Sequence, residues 1–167
     1  MSAHPGARSA KGSPVSSTIY DVLGDSHDRQ RGLCTRLIRT RASNAHGRMQ
    51  TLTELRIELA AHAAAEERYL YAPILMDDMG LNSARHALSE HHDIDELVAD
   101  LQALNPAGGA WGDSAKALAH KVRHHLKEEE TKFFQVSGKI LSDAQKTTLA
   151  GKYQRDYQRM RKVVAQV

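Results

Sequence analysis

One histidine pattern occurs twice in this sequence and constrains the fold more than any other feature. In each copy a single histidine is followed, 35 or 34 residues later, by a second histidine that begins a His-xxx-Glu pair. The two copies are His27 with His62 and Glu66, and His91 with His125 and Glu129. Four residues of α-helix advance the chain by about 6 Å and return it to nearly the same face. The repeat therefore predicts a helical hairpin used twice.

Apolar residues that recur at steps of three and four support a helical chain. The clearest stripe consists of Leu52, Leu55, Leu59, His62, Glu66, Tyr69 and Pro73. Its histidine and glutamate lie where core residues are expected, and the later His-xxx-Glu pair also lies within an apolar stripe. Adjacent helical positions differ by about 100°, so the stripes predict that His91 points inward rather than His92, and His125 rather than His124.

These stripes predict an all-α protein with an up-and-down four-helix bundle and an additional C-terminal helix. We expect a disordered N-terminal tail at 1–17, the bundle at 18–138, and an amphipathic helix packed on the bundle at 139–167. The expected boundary signals are Asn82 or Ser83 as the cap of the third helix, Asp113 or Ser114 as the cap of the fourth, and a Ser142–Gln145 capping box opening the fifth. Between the third and fourth helices, the Pro and Gly content of 105–112 predicts a loop, in which Trp111 would cover the end of the bundle.

Composition excludes several classes of protein. The sequence lacks the unbroken apolar run of a membrane span and the apolar segment of a signal peptide, which predicts a cytoplasmic protein. The single cysteine, Cys34, is expected to be a small core residue. The net charge of +3 comes partly from the basic C-terminal segment, but no recognition motif accompanies it, so we predict no nucleic-acid partner. No protein partner can be read from the sequence.

Two hairpins packed antiparallel can build a metal site between facing helices. If each glutamate bridges two ions, each ion receives two imidazole nitrogens and two carboxylate oxygens, and a shared oxo or hydroxo group adds a fifth ligand. At least one position then remains open for a small molecule. Donors of this kind without a thiolate cluster suit iron, manganese or zinc, and paired bridging carboxylates in a bundle favour two non-haem iron ions.

The candidate metal ligands are His27, His62, Glu66, His91, His125 and Glu129. Burying these side chains with neither metal nor hydrogen-bond partners would cost several kcal/mol per charge, so an ordinary polar core is the weaker explanation. We expect His62 to share one ion with His27, and Glu66 to bridge opposite Glu129.

The sequence resembles the hemerythrin-like, or HHE cation-binding, domain from about Ile19 to Leu149. The resemblance rests on four motifs taken together. They are Asp-Ser-His-Asp-Arg around His27, the His62-xxx-Glu66-Glu67 block ending in Leu70-Tyr71-Ala72-Pro73, the Glu90-His91 pair, and His125-xxx-Glu129-Glu130. The resemblance implies an up-and-down bundle holding a non-haem di-iron centre that meets oxygen, peroxide, nitric oxide or iron itself.

The sequence departs from the oxygen-carrying hemerythrins, which use five histidines with a His-xxx-His pair on the third helix and a His-xxxx-Asp pair on the fourth. Here Asp95 lies four residues after His91, and Glu129 lies four after His125. A harder oxygen donor in place of imidazole should favour the ferric state and weaken reversible oxygen binding. Three alternative roles are open for Asp95: a metal ligand, a hydrogen-bond partner of a histidine N–H, or a solvated group.

Three hypotheses for function follow. The first is a di-iron protein that binds, senses or detoxifies a small molecule such as oxygen, nitric oxide or peroxide. The second is a di-iron enzyme that disproportionates peroxide, as a catalase does. The third is an iron-responsive interaction module, because the free energy of metal binding also stabilises the fold. The sequence assigns no catalytic residue; Tyr69, Asp95 and Glu130 are the candidates for a base or proton relay.

Overall fold

The computed structural model describes residues 16–167, which fold into helices joined by short turns. The five main helices are α1 (Ile19–Arg39), α2 (Ala45–Glu66), α3 (Leu81–Ala103), α4 (Gly109–Glu128) and α5 (Asp143–Val164). Two of them continue past a π-helical turn: α2 through Glu67–Tyr71 into Ala72–Leu75, and α4 through Glu129–Phe133 into Phe134–Ile140. The predicted all-α bundle with an extra C-terminal helix is confirmed. Of the predicted tail, residues 1–15 lie outside the described residues.

Side-chain caps fix where several helices begin. Thr18 and Asp21 form a capping box at the start of α1, and Ser142 and Gln145 form the expected one at the start of α5. Asn44 accepts the Gly47 N–H at the start of α2. Each cap satisfies backbone donors that the first turn of a helix leaves free.

Two boundary predictions were wrong. The helix α3 begins at Leu81 with Gly80 at its cap, so neither Asn82 nor Ser83 caps it. The helix α4 begins at Gly109, which places Trp111 in its first turn rather than in a loop. Trp111 is buried in the core beneath the Arg48 guanidinium, 4.6 Å from its ring centre. Burial of so large an apolar surface favours helix at positions whose Pro and Gly content predicted a loop.

In the bundle, α1 packs against α2 and α4, α3 packs against α4, and α5 packs along α1 and α2. The buried core has two apolar clusters separated by a polar layer. One cluster includes Leu23, Leu70, Tyr71, Ile74 and Tyr153. The other includes Cys34, Leu37, Leu55, Trp111 and Leu118. The histidines and glutamates of the repeat lie in the layer between them, excluded from bulk water by apolar packing on both sides.

Across the described part of the chain, no helix combines the length and apolar character that crossing a bilayer would require.

Candidate metal centre

Four imidazoles surround two buried carboxylates in the polar layer. Glu66 Oε2 lies 3.1 Å from His62 Nε2 and 3.4 Å from His91 Nε2. Glu129 Oε2 lies 3.4 Å from His27 Nε2 and 3.8 Å from His125 Nε2. All six predicted ligand residues are thus brought together. His62 and Glu66 lie on α2, His125 lies near the end of α4 and Glu129 at the start of its π turn, and His27 and His91 lie on α1 and α3.

The donor atoms fall into two groups that share Glu66. One group consists of His27, His62, Glu66 and Glu129, and the other of Glu66, His91 and His125; within each, the donor atoms lie within 4.8 Å of one another. The rings of His27 and His62 are 5.1 Å apart, and those of His91 and His125 are 4.9 Å apart. This is the pairing expected for two ions with a carboxylate shared between them.

Each histidine has a second partner on its other ring nitrogen. The Nδ1 atoms of three of them bond carboxylates: His27 to Glu130 at 2.8 Å, His91 to Glu67 at 2.8 Å, and His125 to Glu90 at 3.0 Å. The fourth, His62, bonds the Tyr153 hydroxyl at 2.8 Å. All four bonds fix the ring orientation. The three carboxylates accept from Nδ1–H, which leaves Nε2 of those rings free to bind a metal.

The repeat explains part of this arrangement. Glu67 and Glu130 each follow a glutamate of a His-xxx-Glu pair, and each reaches the single histidine of the opposite copy. The Nδ1 partner of His62 breaks the symmetry between the two copies, because Ser26 occupies the position that corresponds to Glu90. Ser26 instead donates to the buried Glu58 at 2.6 Å, and Tyr153 of α5 supplies the missing partner.

The π-helical turns lie directly after the His-xxx-Glu pairs, a common location for such turns at functional sites. A π turn spaces residues on one face by about five rather than four positions. This places Tyr71, five residues after Glu66, over the centre, where its hydroxyl donates to Glu129 and lies 3.4 Å from His91 Nε2. Tyr69, the tyrosine expected from an uninterrupted stripe, is only half-buried. The corresponding residue of the second copy is Phe134, which stacks on His27 and offers no donor.

Unsatisfied polar atoms test whether these residues suit a metal. Seven buried side-chain atoms within residues 16–167 have no hydrogen-bond partner, and six of them point into this layer. They are the Nε2 atoms of His27, His62 and His125, both carboxylate oxygens of Glu66, and Oε2 of Glu129. Leaving such groups unsatisfied is expensive, and metal coordination would satisfy all six together. The donor set therefore fits metal ions.

The carboxylates strongly perturb the protonation of the metal-free centre. Burial opposes a charge on His91, but the adjacent carboxylates of Glu66 and Glu67 outweigh burial and raise its pKa to about 10. The same balance, with Glu129 and Glu130 as partners, raises the pKa of His27 to about 9. Burial would raise the pKa of Glu66, but His62 and His91 hold it well below its usual range. Protonated histidines thus neutralise the carboxylates in the metal-free protein, and bound metal would displace those protons.

A cavity of about 260 Å³ reaches the centre from the side of α3 and α4. His125, Glu129 and Phe133 line its inner part, and His86, Glu128 and Lys132 lie toward solvent. A second space, bordered by His62, His91, His125 and Asp95 among others, measures only about 10 Å³, scarcely room for one water. The first cavity is therefore the wider route to the centre.

Asp95 and Glu130, two of the candidates for a base or proton relay, lie outside the two donor groups. Asp95 is exposed, and partial desolvation raises its pKa. Glu130 bonds His27 and Arg31, and those two partners hold its pKa at about 2 against the effect of burial. Sequence reasoning missed Tyr71 and Tyr153 as neighbours of the centre. A π turn identifies Tyr71 only once the backbone is known, and nothing in the repeat points to Tyr153.

Comparison with known proteins identifies the family. The family model described as the hemerythrin HHE cation binding domain matches residues 18–136. The chain belongs to the hemerythrin HHE cation-binding family. The matched region contains all six residues of the two donor groups and ends before α5, so Tyr153 lies outside it.

Two relatives of this hemerythrin HHE protein differ in length. A hemerythrin HHE cation binding domain-containing protein from Mycobacterium kansasii has the same fold, with a TM-score of 0.79 at 20% identity, over 87% of this chain and 88% of that one. A protein from Nostoc sp. named DNA nickase is 28% identical over 128 residues. That match covers 76% of this chain but 35% of the Nostoc protein, so the chain spans about a third of that relative.

Proposed function

We propose that this hemerythrin HHE protein holds two non-haem iron ions with an oxo or hydroxo bridge. The proposed ligands of one ion are His27 and His62, and those of the other are His91 and His125. Glu66 and Glu129 would supply carboxylate oxygens to both. The observation that carries the proposal is the set of six unsatisfied buried atoms that point into one layer. Such a centre supplies Lewis-acid and redox chemistry toward small oxygen and nitrogen species.

The Nδ1 partners support metal binding in particular. All four histidines direct Nε2 toward Glu66 or Glu129. The carboxylates and the tyrosine behind them restrict the rotation of the rings. This shared orientation is the one that metal coordination by all four rings would require.

We further propose that the centre binds and senses or detoxifies a small molecule: oxygen, nitric oxide or peroxide. The cavity beside His125 and Glu129 is the proposed route, and its volume suits a molecule of a few atoms. The hydroxyl of Tyr71 is the proposed hydrogen-bond donor to that molecule, because it lies beside Glu129 and His91 on the same side of the layer. Burial, followed by the charges of Glu129 and Glu66, raises the pKa of Tyr71 and keeps it protonated.

Tyr71 also favours the enzymatic alternative, peroxide disproportionation. In that reaction two peroxide molecules give two waters and one dioxygen, so protons must move from one oxygen to another. Tyr71 would hold and return a proton beside Glu129, which lines the cavity, a role that Tyr69, Asp95 and Glu130 are less well positioned to fill.

The third hypothesis, an iron-responsive module, is favoured by the bond between α5 and the centre. His62 bonds Tyr153, so loss of metal would disturb a residue of the helix packed outside the four-helix core. The protein partner of such a module remains for experiment to identify.

Metal analysis combined with absorption spectroscopy tests the proposal most directly. We expect two irons per chain after loading and oxo-to-ferric charge-transfer bands in the oxidised protein. One zinc, or no metal, would overturn it. Titration of the reduced protein with nitric oxide and assay of peroxide turnover then separate a binding protein from an enzyme: saturable binding without turnover supports the first, and sustained dioxygen release supports the second.

A further inference from the structure

A second group of potential metal donors lies at the outer end of the cavity. His86, Glu90 and Glu128 each direct one donor atom toward the others, and these atoms lie within 4.8 Å of one another. His86 Nε2 is 3.2 Å from Glu128 Oε2 and 3.9 Å from Glu90 Oε2. Ligands at about 2.1 Å from one ion lie roughly 3 to 3.5 Å apart, so small side-chain movements would bring all three onto a cation.

Each of the two carboxylates uses its Oε1 atom to bind a lysine. Lys121 binds Glu90 through Oε1 at 3.1 Å, and Lys132 binds Glu128 through Oε1 at 2.6 Å. Both Oε2 atoms therefore face the exposed His86. Glu90 Oε2 also accepts from His125 Nδ1, so Glu90 touches both this outer group and the centre.

The cavity joins the outer group to unsatisfied donor atoms. His86, Glu90 and Glu128 line it together with His125 and Glu129. His125 Nε2 and Glu129 Oε2 are buried without hydrogen-bond partners. A cation at the outer group would thus lie in the same cavity as two residues of the centre that have unsatisfied donor atoms.

We propose that His86, Glu90 and Glu128 form an outer site for a divalent first-row cation, Fe²⁺, and that this site delivers the metal to the centre. The inference rests on the proposed metal centre. The two lysines offset the two carboxylates, so the outer site binds cations weakly and releases them inward. One imidazole and two carboxylates suit Fe²⁺ as ligands.

Anaerobic loading of the metal-free protein with Fe²⁺ tests the inference. Aliquots are withdrawn over time, unbound iron is removed with a chelator, and protein-bound iron is measured. We expect His86→Ala to load roughly tenfold more slowly than wild type, as for loss of a residue that tunes a metal site. Its final iron content should equal that of wild type, because His86 contributes nothing to the centre.

Two further variants make the test specific. His92→Ala removes another exposed histidine of α3, one that pairs with Glu96, and should load at the wild-type rate. Lys132→Gln removes a positive charge beside Glu128 and should load faster than wild type. A general defect of folding would slow every variant, so acceleration in Lys132→Gln distinguishes cation delivery from disturbance of the helix.

The outcomes separate the two proposals. A wild-type protein that takes up two irons at a rate unchanged in His86→Ala overturns the outer site alone. Equal slowing of the His86, His92 and Lys132 variants also overturns it. A wild-type protein that takes up no iron overturns the metal centre and the outer site together.

Discussion

The hydroxyl of Tyr153 lies 2.8 Å from His62 Nδ1, so a residue of α5 bonds a histidine of the centre. The three other histidines of the centre bond carboxylates in the same way. Since α5 lies beyond the region matched by the family model, this chain completes its centre with a helix outside that region. Tyr153 is therefore a positioning residue for His62.

Substitution of Tyr153 tests that role. We expect Tyr153→Phe to weaken metal retention by roughly tenfold, because His62 loses the bond that fixes its ring. Transfer of iron to a competing chelator measures the loss. Tyr20→Phe is the matched control, since the Tyr20 hydroxyl bonds Ser137 rather than a histidine of the centre. Equal retention in the two variants would show that Tyr153 only fills space.

Substitution of the proposed ligands should change metal stoichiometry. We expect Glu129→Ala to lose both irons, because it removes a shared carboxylate, and His62→Ala to lose one. The control His124→Ala tests the helical register, because this exposed residue immediately precedes His125. Elemental analysis of each purified variant gives the metal content. Unchanged iron in His62→Ala and Glu129→Ala would refute the ligand assignment even if the fold is intact.

The hydroxyl of Tyr71 should matter for reactivity rather than for metal content. We expect Tyr71→Phe to retain two irons but to slow peroxide turnover on the order of a hundredfold. This factor is the lower end of the rate contribution of general acid–base catalysis. If the protein only binds small molecules, the same variant should weaken nitric oxide affinity. Tyr69→Phe is the control, because Tyr69 is half-buried and two positions before Tyr71. A Tyr71 variant with wild-type turnover and affinity would remove this residue from the proposed mechanism.

The stability of the metal-free protein should pass through a maximum below neutral pH. The pKa values of His27 and His91 are raised from 6.5 to about 9 and about 10. Groups with raised pKa values stabilise the fold fully below pH 6.5, and this contribution is lost as the pH rises toward 9 and 10. The pKa values of Glu90 and Glu130 are lowered from 4.5 to about 2, so their contribution is lost as the pH falls below 4.5.

Urea unfolding of the metal-free protein at a series of pH values measures this maximum. We expect the free energy of unfolding to be highest between about pH 4.5 and 6.5 and to fall on both sides. His91→Gln should flatten the alkaline side, whereas His92→Gln, at an exposed position, should leave it unchanged. A free energy of unfolding that stays constant from neutral pH to pH 10 would contradict the raised histidine pKa values.

The basic C-terminal helix should not bind or cleave DNA at physiological salt. Two of its cations already have acidic partners: Arg159 binds Asp156 at 2.6 Å, and Arg161 lies 3.8 Å from Glu58. Arg68, in the π turn after α2, binds the same Asp156 at 2.6 Å. Incubation of the iron-loaded protein with supercoiled plasmid checks the expectation by gel electrophoresis. Accumulation of nicked circles, lost in Glu129→Ala, would contradict it and would extend the similarity to the Nostoc protein from sequence to activity.

The sequence alone was sufficient to predict the number of main helices and which histidines and glutamates meet in the core, although it misplaced the starts of α3 and α4. Its stripes place His91 and His125 inward, and both are buried, whereas His92 and His124 are exposed. This success has a local cause: helical periodicity fixes which side chains share a face, and the repeat pairs one hairpin with the other. The pairing of His27 with His62 also follows from the repeat.

Only the tertiary structure decided what lies around those side chains. The helical period made Tyr69 a candidate proton relay and gave no indication of Tyr71, because sequence periodicity cannot reveal a π turn that changes the spacing from four residues to five. The partnership of Tyr153 with His62 depends on how α5 docks on the bundle, and no spacing within the chain encodes that contact. Local periodicity therefore determined the candidate ligands, and long-range packing determined their partners and the cavity that leads to them.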